Sequence, residues 1–480
     1  MNQKKIKKTK VERLPNIVYI LADDLGYGDL SSLNPKSGIK TPNMDKVVKE
    51  GIHFTDAHSN SSVCTPTRYG ILTGRYAWRS VLKKGVLGGY DEPLIENNRA
   101  TVASYLSDNG YHTACIGKWH LGLGWELKNP ERPIVKTWEL NSEEDSNVDF
   151  SQPINGGPKE LGFDYSYIIP ASLDMSPYLY LENDKAVTLP TARTAGKGSE
   201  RGVFWRAGEM APNFDFHKVL PTISEKAVDY IEGRSNSKSP FFLYFPLTAP
   251  HTPWLPDMKL KGVSEAGKYG DFVSQVDGVV GEILSALEES GQADNTLLII
   301  TSDNGAHWTP EDKEKYAHRA NFIYRGQKAD IYEGGHHIPY IARWPGKISA
   351  GSNSNQVLCT TDLMATVSGV INRPLPVGAG EDSYNMLPAY LGTASDQQIR
   401  DYTIHHAANG FFSIRKGKWK LTPHLGSGGF SVPVEFIPEN DQILGTLYDM
   451  ENDPQEITNL YGERADVVEV LMNLLEQAKK

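Results

Sequence analysis

The chain is poor in cysteine: its 480 residues hold only three, Cys64, Cys115 and Cys359. An odd, widely spaced trio makes no disulfide framework, and without a Cys-x-x-Cys pair there is no thiolate zinc site. Cys115 and Cys359 read as small packing residues, whereas Cys64 is set apart by its neighbours. Positive charge is not in excess either. Lys and Arg number 49 against 59 Asp and Glu, a net charge of −10. That balance argues against nucleic acid as a partner, because neutralising phosphates takes a basic face. It leaves room for an anionic substrate, since a local cationic pocket can sit in an acidic protein. Long apolar runs are missing as well. The lysine-rich start has no apolar stretch behind it until Ile17 to Ala22. That run is too short for a signal-peptide core or a membrane span, and it leads straight into Asp23-Asp24. We therefore expect no membrane span and a disordered basic tail over residues 1–14. The compartment expected is the cytoplasm, or the periplasm if a leader has been removed.

What is present suffices for a large core: 39% of the residues are apolar, and this length allows more than one domain. Asn16 to Leu21, Phe241 to Phe245 and Thr296 to Thr301 read as strands. They show no period-two alternation, as expected for parallel strands covered on both faces. Helical segments fall between them. One runs from Pro42 to Glu50, with Thr41 as N-cap and Gly51 as stop. Another runs from about Tyr269 to Glu289, apolar at Phe272, Val276, Val279, Val280, Ile283, Leu284 and Leu287, the helical spacing. Strands alternating with helices predict an α/β sheet wrapped on both sides. Residues from about Trp125 to Gly202 read as long surface loops. After Pro374 the pattern changes to short antiparallel strands at Phe411–Arg415, Lys418–Leu421 and Thr446–Asp449, followed by a helix from Ala465 to Lys479.

Ligands of open α/β sheets bind beyond the carboxyl ends of the strands. Here those ends carry Asp23-Asp24, Lys118-Trp119-His120, His251 and Asp303-Asn304-Gly305. Each alone is an ordinary turn or cap signal; convergence on one sheet edge is what makes them a site. Asp23, Asp24, Asp303 and Asn304 form an all-oxygen set suited to a hard cation, Ca²⁺ ahead of Mg²⁺. Without an ion the gathered carboxylates would repel one another. With a divalent ion, Arg68, Lys118 and Lys328 leave the pocket at about +2, which favours an anion. Cys64 near Arg68 also reads as a modest nucleophile, because a cation lowers a thiol pKa.

Cys64-Thr65-Pro66-Thr67-Arg68, followed by a short helix ending in Thr73-Gly74, resembles the signature of the type I sulfatases of the alkaline phosphatase superfamily. Gly110 to His120 is similar to their second signature. The resemblance runs from Asn16 to Tyr461 and takes in Ala249-Pro250-His251, Tyr332-Glu333-Gly334-Gly335 and Leu447-Tyr448-Asp449. Pro170 to Met175 resembles the bacterial polysaccharide sulfatases. Two departures are visible: where the family often reads Gly-Gly-Lys-Gly, this chain has Gly326-Gln327-Lys328-Ala329, and Gly335-His336-His337 stands where many members have Gly-His-Arg or Gly-Ile-Arg.

The resemblance implies an alkaline phosphatase-like fold: a large, mostly parallel mixed sheet flanked by helices over residues 15–372. A smaller C-terminal domain with an antiparallel sheet would occupy residues 373–480. It implies that a formylglycine-generating enzyme converts Cys64 to Cα-formylglycine, and that calcium is held by Asp23, Asp24, Asp303 and Asn304 beside residue 64. By the same resemblance, Arg68 steadies the nucleophile while Lys118 and Lys328 hold sulfate oxygens. His251 protonates the leaving alcohol, with Lys328 as second choice, and His120 accepts the proton that releases sulfate. Ser172 and His336 are expected to touch substrate, and Tyr178, Arg201, Trp308 and His337 are further guesses. The substrate expected is a sulfated oligo- or polysaccharide such as ulvan, carrageenan or a glycosaminoglycan. Two other readings remain open here: a phosphodiesterase or phosphonate hydrolase of the same superfamily, and a sulfated-glycan binding protein.

Overall fold

The computed structural model describes residues 13–480 apart from 142, 396 and 439–442. The tail expected over residues 1–14 thus lies, but for its last two residues, outside the described residues. In chain order the elements that matter are β1 (Asn16–Asp23), α1 (Pro42–Glu50), β2 (Ile52–Phe54), α2 (Cys64–Thr73), β3 (His112–Lys118), β4 (Tyr165–Ile169), β5 (Leu181–Glu182) and β6 (Lys185–Ala186). There follow α3 (Val219–Gly233), β7 (Phe241–Pro250), α4 (Gly267–Glu289), β8 (Thr296–Ser302), β9 (Tyr340–Arg343) and β10 (Ser352–Ser354). All ten strands join one sheet in the order β10-β2-β9-β8-β1-β7-β3-β4-β5-β6. The central strands β8, β1, β7, β3 and β4 are parallel. Antiparallel β9 lies on one side and β5 with β6 on the other.

The missing alternation in β1 has a direct cause. Ile17, Tyr19 and Leu21 enter one apolar cluster, while Val18, Ile20 and Ala22 enter another on the opposite face. The second cluster is closed by α3 and α4, whose Ile223, Ala227, Val276, Val280 and Ile283 pack there. Both faces are therefore dry, and a polar residue on either would lose its water without a partner.

Helix α1 has the expected bounds, but Thr41 does not cap it. Its hydroxyl instead donates to Asp45 at 3.0 Å and accepts from the Ser31 N–H at 2.9 Å. Gly51 ends the helix because nothing larger fits: a Cβ there would lie 1.9 Å from the carbonyl oxygen of Ala342. The segment expected as loops is mostly that. It also carries two-stranded ribbons, Ala192–Thr194 with Gly208–Met210 and Lys197–Glu200 with Val203–Trp205, strands too short to leave a periodic signal.

The C-terminal part forms a separate antiparallel sheet of β11 (Thr403–His406), β12 (Phe412–Lys416), β13 (Trp419–Thr422) and β14 (Thr446–Asp449), in that order. Helix α5 (Ala465–Lys479) packs Leu471 and Leu475 on Ile404, Ile414, Leu421 and Leu447 of that sheet. Tyr76 and Trp78, just beyond α2, enter the same cluster and tie the two sheets together. Among the described residues no helix is long and apolar enough to cross a membrane.

Candidate active site

Parallel register sets the edge on which the site is built. Ala22 pairs with Ser302 and Asp23 with Pro250, so β1, β8 and β7 end level with one another. Asp23 and Asp24, Asp303 and Asn304, and His251 therefore emerge side by side, with Lys118 at the end of β3. Asp24 and His120 both take left-handed backbone, at φ 68° and 59°, a conformation that costs a non-glycine residue energy and recurs at functional sites.

Helix α2 supplies the other half of the site. It is buried throughout and starts at Cys64, and Gly74, at φ 63°, stops it by donating its N–H to the carbonyl of Gly70. Arg68 lies one turn after Cys64 and so shares its face of the helix. Its Nε and NH2 donate to Oδ2 of Asp303 at 3.1 and 2.7 Å, and NH1 donates to the carbonyl of Lys118 at 3.1 Å. Lys118 Nζ reaches Asp23 at 2.7 Å and Ser172 Oγ at 3.2 Å, and Lys328 Nζ reaches Asp24 at 2.8 Å. Asp23, Asp24, Cys64 and His251 each bring one ligand atom within 4.8 Å of the others.

The electrostatics follow from this crowding. Burial pushes Asp23 up, but Lys118, His251 and Arg68 outweigh it and hold the carboxyl well below its usual range. Burial and then repulsion by Asp23 push Asp303 up to about 6, against the pull of Arg68 and Lys118. The Cys64 thiol is driven by burial up to about 12 despite Lys118 and Lys328. This corrects the expectation of a cation-activated thiol: desolvation wins, and an unmodified Cys64 stays protonated and inert at neutral pH. Burial, helped by Lys118 and Arg68, holds His120 neutral, far below its ordinary value.

A model of the sulfatase family matches residues 15–372. The chain is a member of the sulfatase family. It is 32% identical to an N-acetylgalactosamine-6-O-sulfatase of Bacteroides thetaiotaomicron, over 97% of this chain and 93% of that one. To human arylsulfatase A it is 30% identical, over 97% and 87%. A solved structure described under the metabolism of multiple glycosaminoglycans by Bacteroides thetaiotaomicron superposes with a TM-score of 0.83. That match covers 98% of this chain and 100% of the other at 31% identity. The protein is thus an enzyme, a sulfuric ester hydrolase.

The residues of this sulfatase fit a hard divalent cation. Asp23, Asp24 and Asp303 gather in the dry end of the sheet, where burial first and then repulsion by Asp23 raise Asp303. Asn304 Oδ1 is buried without a hydrogen-bond partner while its Nδ2 donates to Asp24 at 2.6 Å. An orphaned carboxamide oxygen beside three carboxylates is a donor set for calcium rather than zinc.

The altered lysine loop is also explained. Ala329 sits at φ 76° and is pinned from both sides. Its N–H donates to the carbonyl of Ser62, and its carbonyl accepts from Ala408. Asp330 next to it accepts from the N–H groups of Phe430 and Ser431 and from the Ser431 hydroxyl. Lys328 is thereby bound to the segment just before Cys64 and to a loop of the C-terminal part.

The substrate guesses fare differently. Ser172 is in the pocket, within hydrogen-bond distance of Lys118 and His251. His336 is not: it is fully buried between His58 and Lys420, at 3.1 and 3.0 Å, where the two sheets meet. It ends the short helix Glu333–His336, and its ring stacks on that of His405 from the C-terminal sheet, so it belongs to the join between the sheets. His337 pairs with Glu333 and stacks on Tyr324, Trp308 packs among Tyr269, Tyr316 and His318, and Tyr178 donates to the carbonyl of Arg206. All three are buried. Arg201 remains at the surface, bound to Asp312 and lying over Trp254.

Sequence reasoning passed over His307, Asp174 and Arg206. His307 is pushed down to about 3 by burial and by the nearby Arg201 and Lys328, and its ring packs against Phe430. Its position four residues after Asp303 was the only available signal. Asp174 lies two residues after Ser172 and pairs with Arg206, a contact between loops that no local pattern encodes.

Proposed function

We propose that this sulfatase hydrolyses the sulfate ester of a sulfated sugar, with the 6-O-sulfate of N-acetylgalactosamine as its first substrate. The observation that carries the proposal is the position of Cys64: first residue of a buried helix, within 4.8 Å of Asp23, Asp24 and His251. The cations of Lys118 and Lys328 also reach this pocket. The sugar is supported by the similarity to an N-acetylgalactosamine-6-O-sulfatase over nearly both full lengths.

Two groups complete the chemistry. Cα-formylglycine made from Cys64 supplies, as its hydrate, the nucleophilic oxygen and a route for sulfate to leave by elimination. Asp23, Asp24, Asp303 and Asn304 would hold a calcium ion, which would supply Lewis-acid stabilisation of negative charge there. The chain's own residues do the rest. Arg68, fixed by Asp303 and the Lys118 carbonyl, presents a permanent charge beside residue 64. Lys118 and Lys328 fix sulfate oxygens, so charge building up in the transition state meets donors already oriented. The Ser172 hydroxyl accepts from Lys118 and keeps its own proton for a further substrate oxygen.

The two histidines divide the proton work according to their tautomers. His251 Nδ1 lies 2.6 Å from the carbonyl of Thr252, which can only accept, so that nitrogen carries hydrogen. When the ring is protonated, Nε2 holds the proton that the departing sugar oxygen needs. His120 Nε2 donates to the carbonyl of Leu87 at 2.8 Å, which leaves Nδ1 as a buried lone pair without a partner. A neutral imidazole with an open lone pair is a base, ready to take the proton whose loss frees sulfate. Cys64 is 2% exposed, so a maturation enzyme must reach it before the chain closes.

The test begins with the intact mass, which conversion of Cys64 lowers by about 18 Da. Converted protein is then offered 6-sulfated N-acetylgalactosamine, chondroitin, carrageenan and ulvan oligosaccharides, and phosphate mono- and diesters, with calcium present. Release of sulfate from the N-acetylgalactosamine sulfate, in excess over phosphate release, is expected. Converted protein that hydrolyses the phosphate esters and no sugar sulfate would overturn the proposal.

A further inference from the structure

Beside the sulfate pocket lies a groove of about 460 Å³ lined by Trp138, Lys197, Phe204, Trp205 and Arg206, within the size of small-molecule sites. Two of its aromatic residues are open to solvent: Trp138 is 50% exposed and Phe204 38%. Large exposed rings cost solvation free energy and mark places where something docks. They are held in position. The Arg206 guanidinium is sandwiched between them, 4.6 Å from the Trp138 ring and 4.8 Å from Phe204, and Trp205 stacks on Phe216 behind them. Such cation–π contacts fix the ring planes.

The groove is joined to the chemistry through one residue. Arg206 NH1 pairs with Asp174, whose carbonyl also accepts from the Arg206 N–H at 3.0 Å. Asp174 lies two residues after Ser172, which touches both Lys118 and His251. Its Oδ1 is buried without a hydrogen-bond partner, on a carboxylate that lies close to both His251 and Arg206. A buried carboxylate oxygen with no donor is costly unless a ligand provides one.

We propose that this groove is a second saccharide subsite, in which Trp138 and Phe204 stack the sugar unit next to the sulfated one while Asp174 accepts a hydroxyl from the bound chain. Sugars suit the place: their C–H faces lie against the negative faces of aromatic rings, and their hydroxyls supply the donor that Asp174 lacks. Lys197 adds an exposed cation over Trp205, which favours an acidic neighbouring unit such as a uronate. The enzyme is then matched to a sulfated oligosaccharide rather than to a sulfated monosaccharide. This inference rests on the proposed sugar sulfatase activity.

The experiment compares Trp138→Ala and Phe204→Ala with the parent enzyme on three substrates: 4-nitrophenyl sulfate, a 6-sulfated N-acetylgalactosamine monosaccharide and a chondroitin tetrasaccharide bearing the same sulfate. The variants are expected to raise KM for the tetrasaccharide about tenfold or more, at about 1–1.5 kcal/mol per aromatic contact. On the two small substrates they should match the parent, which also shows that they fold. If the parent desulfates both sugars and the variants treat the tetrasaccharide as the parent does, there is no subsite. A parent that desulfates neither sugar overturns instead the activity on which the subsite depends.

Discussion

At the residue scale, Cys64, His120 and Asp303 make separable contributions. Replacing Cys64 by Ala removes both the nucleophile and its precursor, and sulfate release should fall to background while the fold survives, since Ala fits within the space of the thiol and keeps helix α2. His120→Ala should act later. Loss of a general base costs about 10²–10⁴-fold, and the loss should fall on sulfate release rather than on liberation of the alcohol. A burst of about one alcohol equivalent without matching sulfate would be its signature, and equal slowing of both products would contradict the assignment. Asp303→Asn weakens the donor set and at the same time strips Arg68 of its partner at 2.7 Å. Calcium should raise the Tm of the parent, because a ligand bound only by the folded state stabilises it. The same addition should raise Asp303→Asn by much less, as followed by calorimetry with and without chelator. Three separate signals made these residues legible in the sequence: the signature around Cys64, the second signature ending at His120, and the polar end of the strand before Asp303. Asp174 and Arg206 were not, because their meaning lies in a contact across about thirty residues of loop.

At the element scale, the strand ends and the lysine loop carry the argument. The strands were legible because a parallel strand buried on both faces is a continuous apolar run. The level ending of β1, β7 and β8 follows from their register, which the sequence suggested and pairing decided. The loop bearing Lys328 is different. Its left-handed Ala329 is stable only because Ser62, Ala408 and the Gly429 turn surround it. A Cβ at Gly429 would stand 2.2 Å from the carbonyl carbon of Ala329 and 2.5 Å from the Asp330 nitrogen. Backbone would have to move. Gly429→Ala should therefore shift Lys328 and lower kcat/KM by about 10²-fold, the cost of a misplacement near 1 Å. The overall Tm should change little. An unchanged kcat/KM on 4-nitrophenyl sulfate would show that the C-terminal loop does not support the lysine.

At the scale of the whole molecule, the join between the two sheets contributes to acid stability. His336, His405 and His406 lie there, buried and neutral. Burial, with His405 and Lys420 adding to it, holds His336 far below its ordinary value, and burial with His58 and Lys420 does so for His405. Burial alone takes His406 to about 4. These groups have depressed values in the folded state, so the unfolded chain binds more protons as the pH falls. Stability from this source is complete above about pH 6.5 and is lost below it, at about 1.4 kcal/mol per pH unit for each such histidine. For His406 the loss continues to about pH 4. Denaturant midpoints measured from pH 7.5 down to 5 should fall accordingly, and replacing His406 by Phe should flatten the slope. The sequence by itself determined the α/β class, the antiparallel sheet at the end, the metal-type donor set and the cysteine signature. Each is written in runs of neighbouring residues whose periodicity or spacing is their physical requirement. Only the tertiary structure decided that Cys64 is too deeply buried to act as a thiol, that His336 is part of the join between sheets, and that Trp138 and Arg206 line one groove. Burial and loop-to-loop contact depend on what the rest of the chain brings alongside, and that is set when the sheet closes.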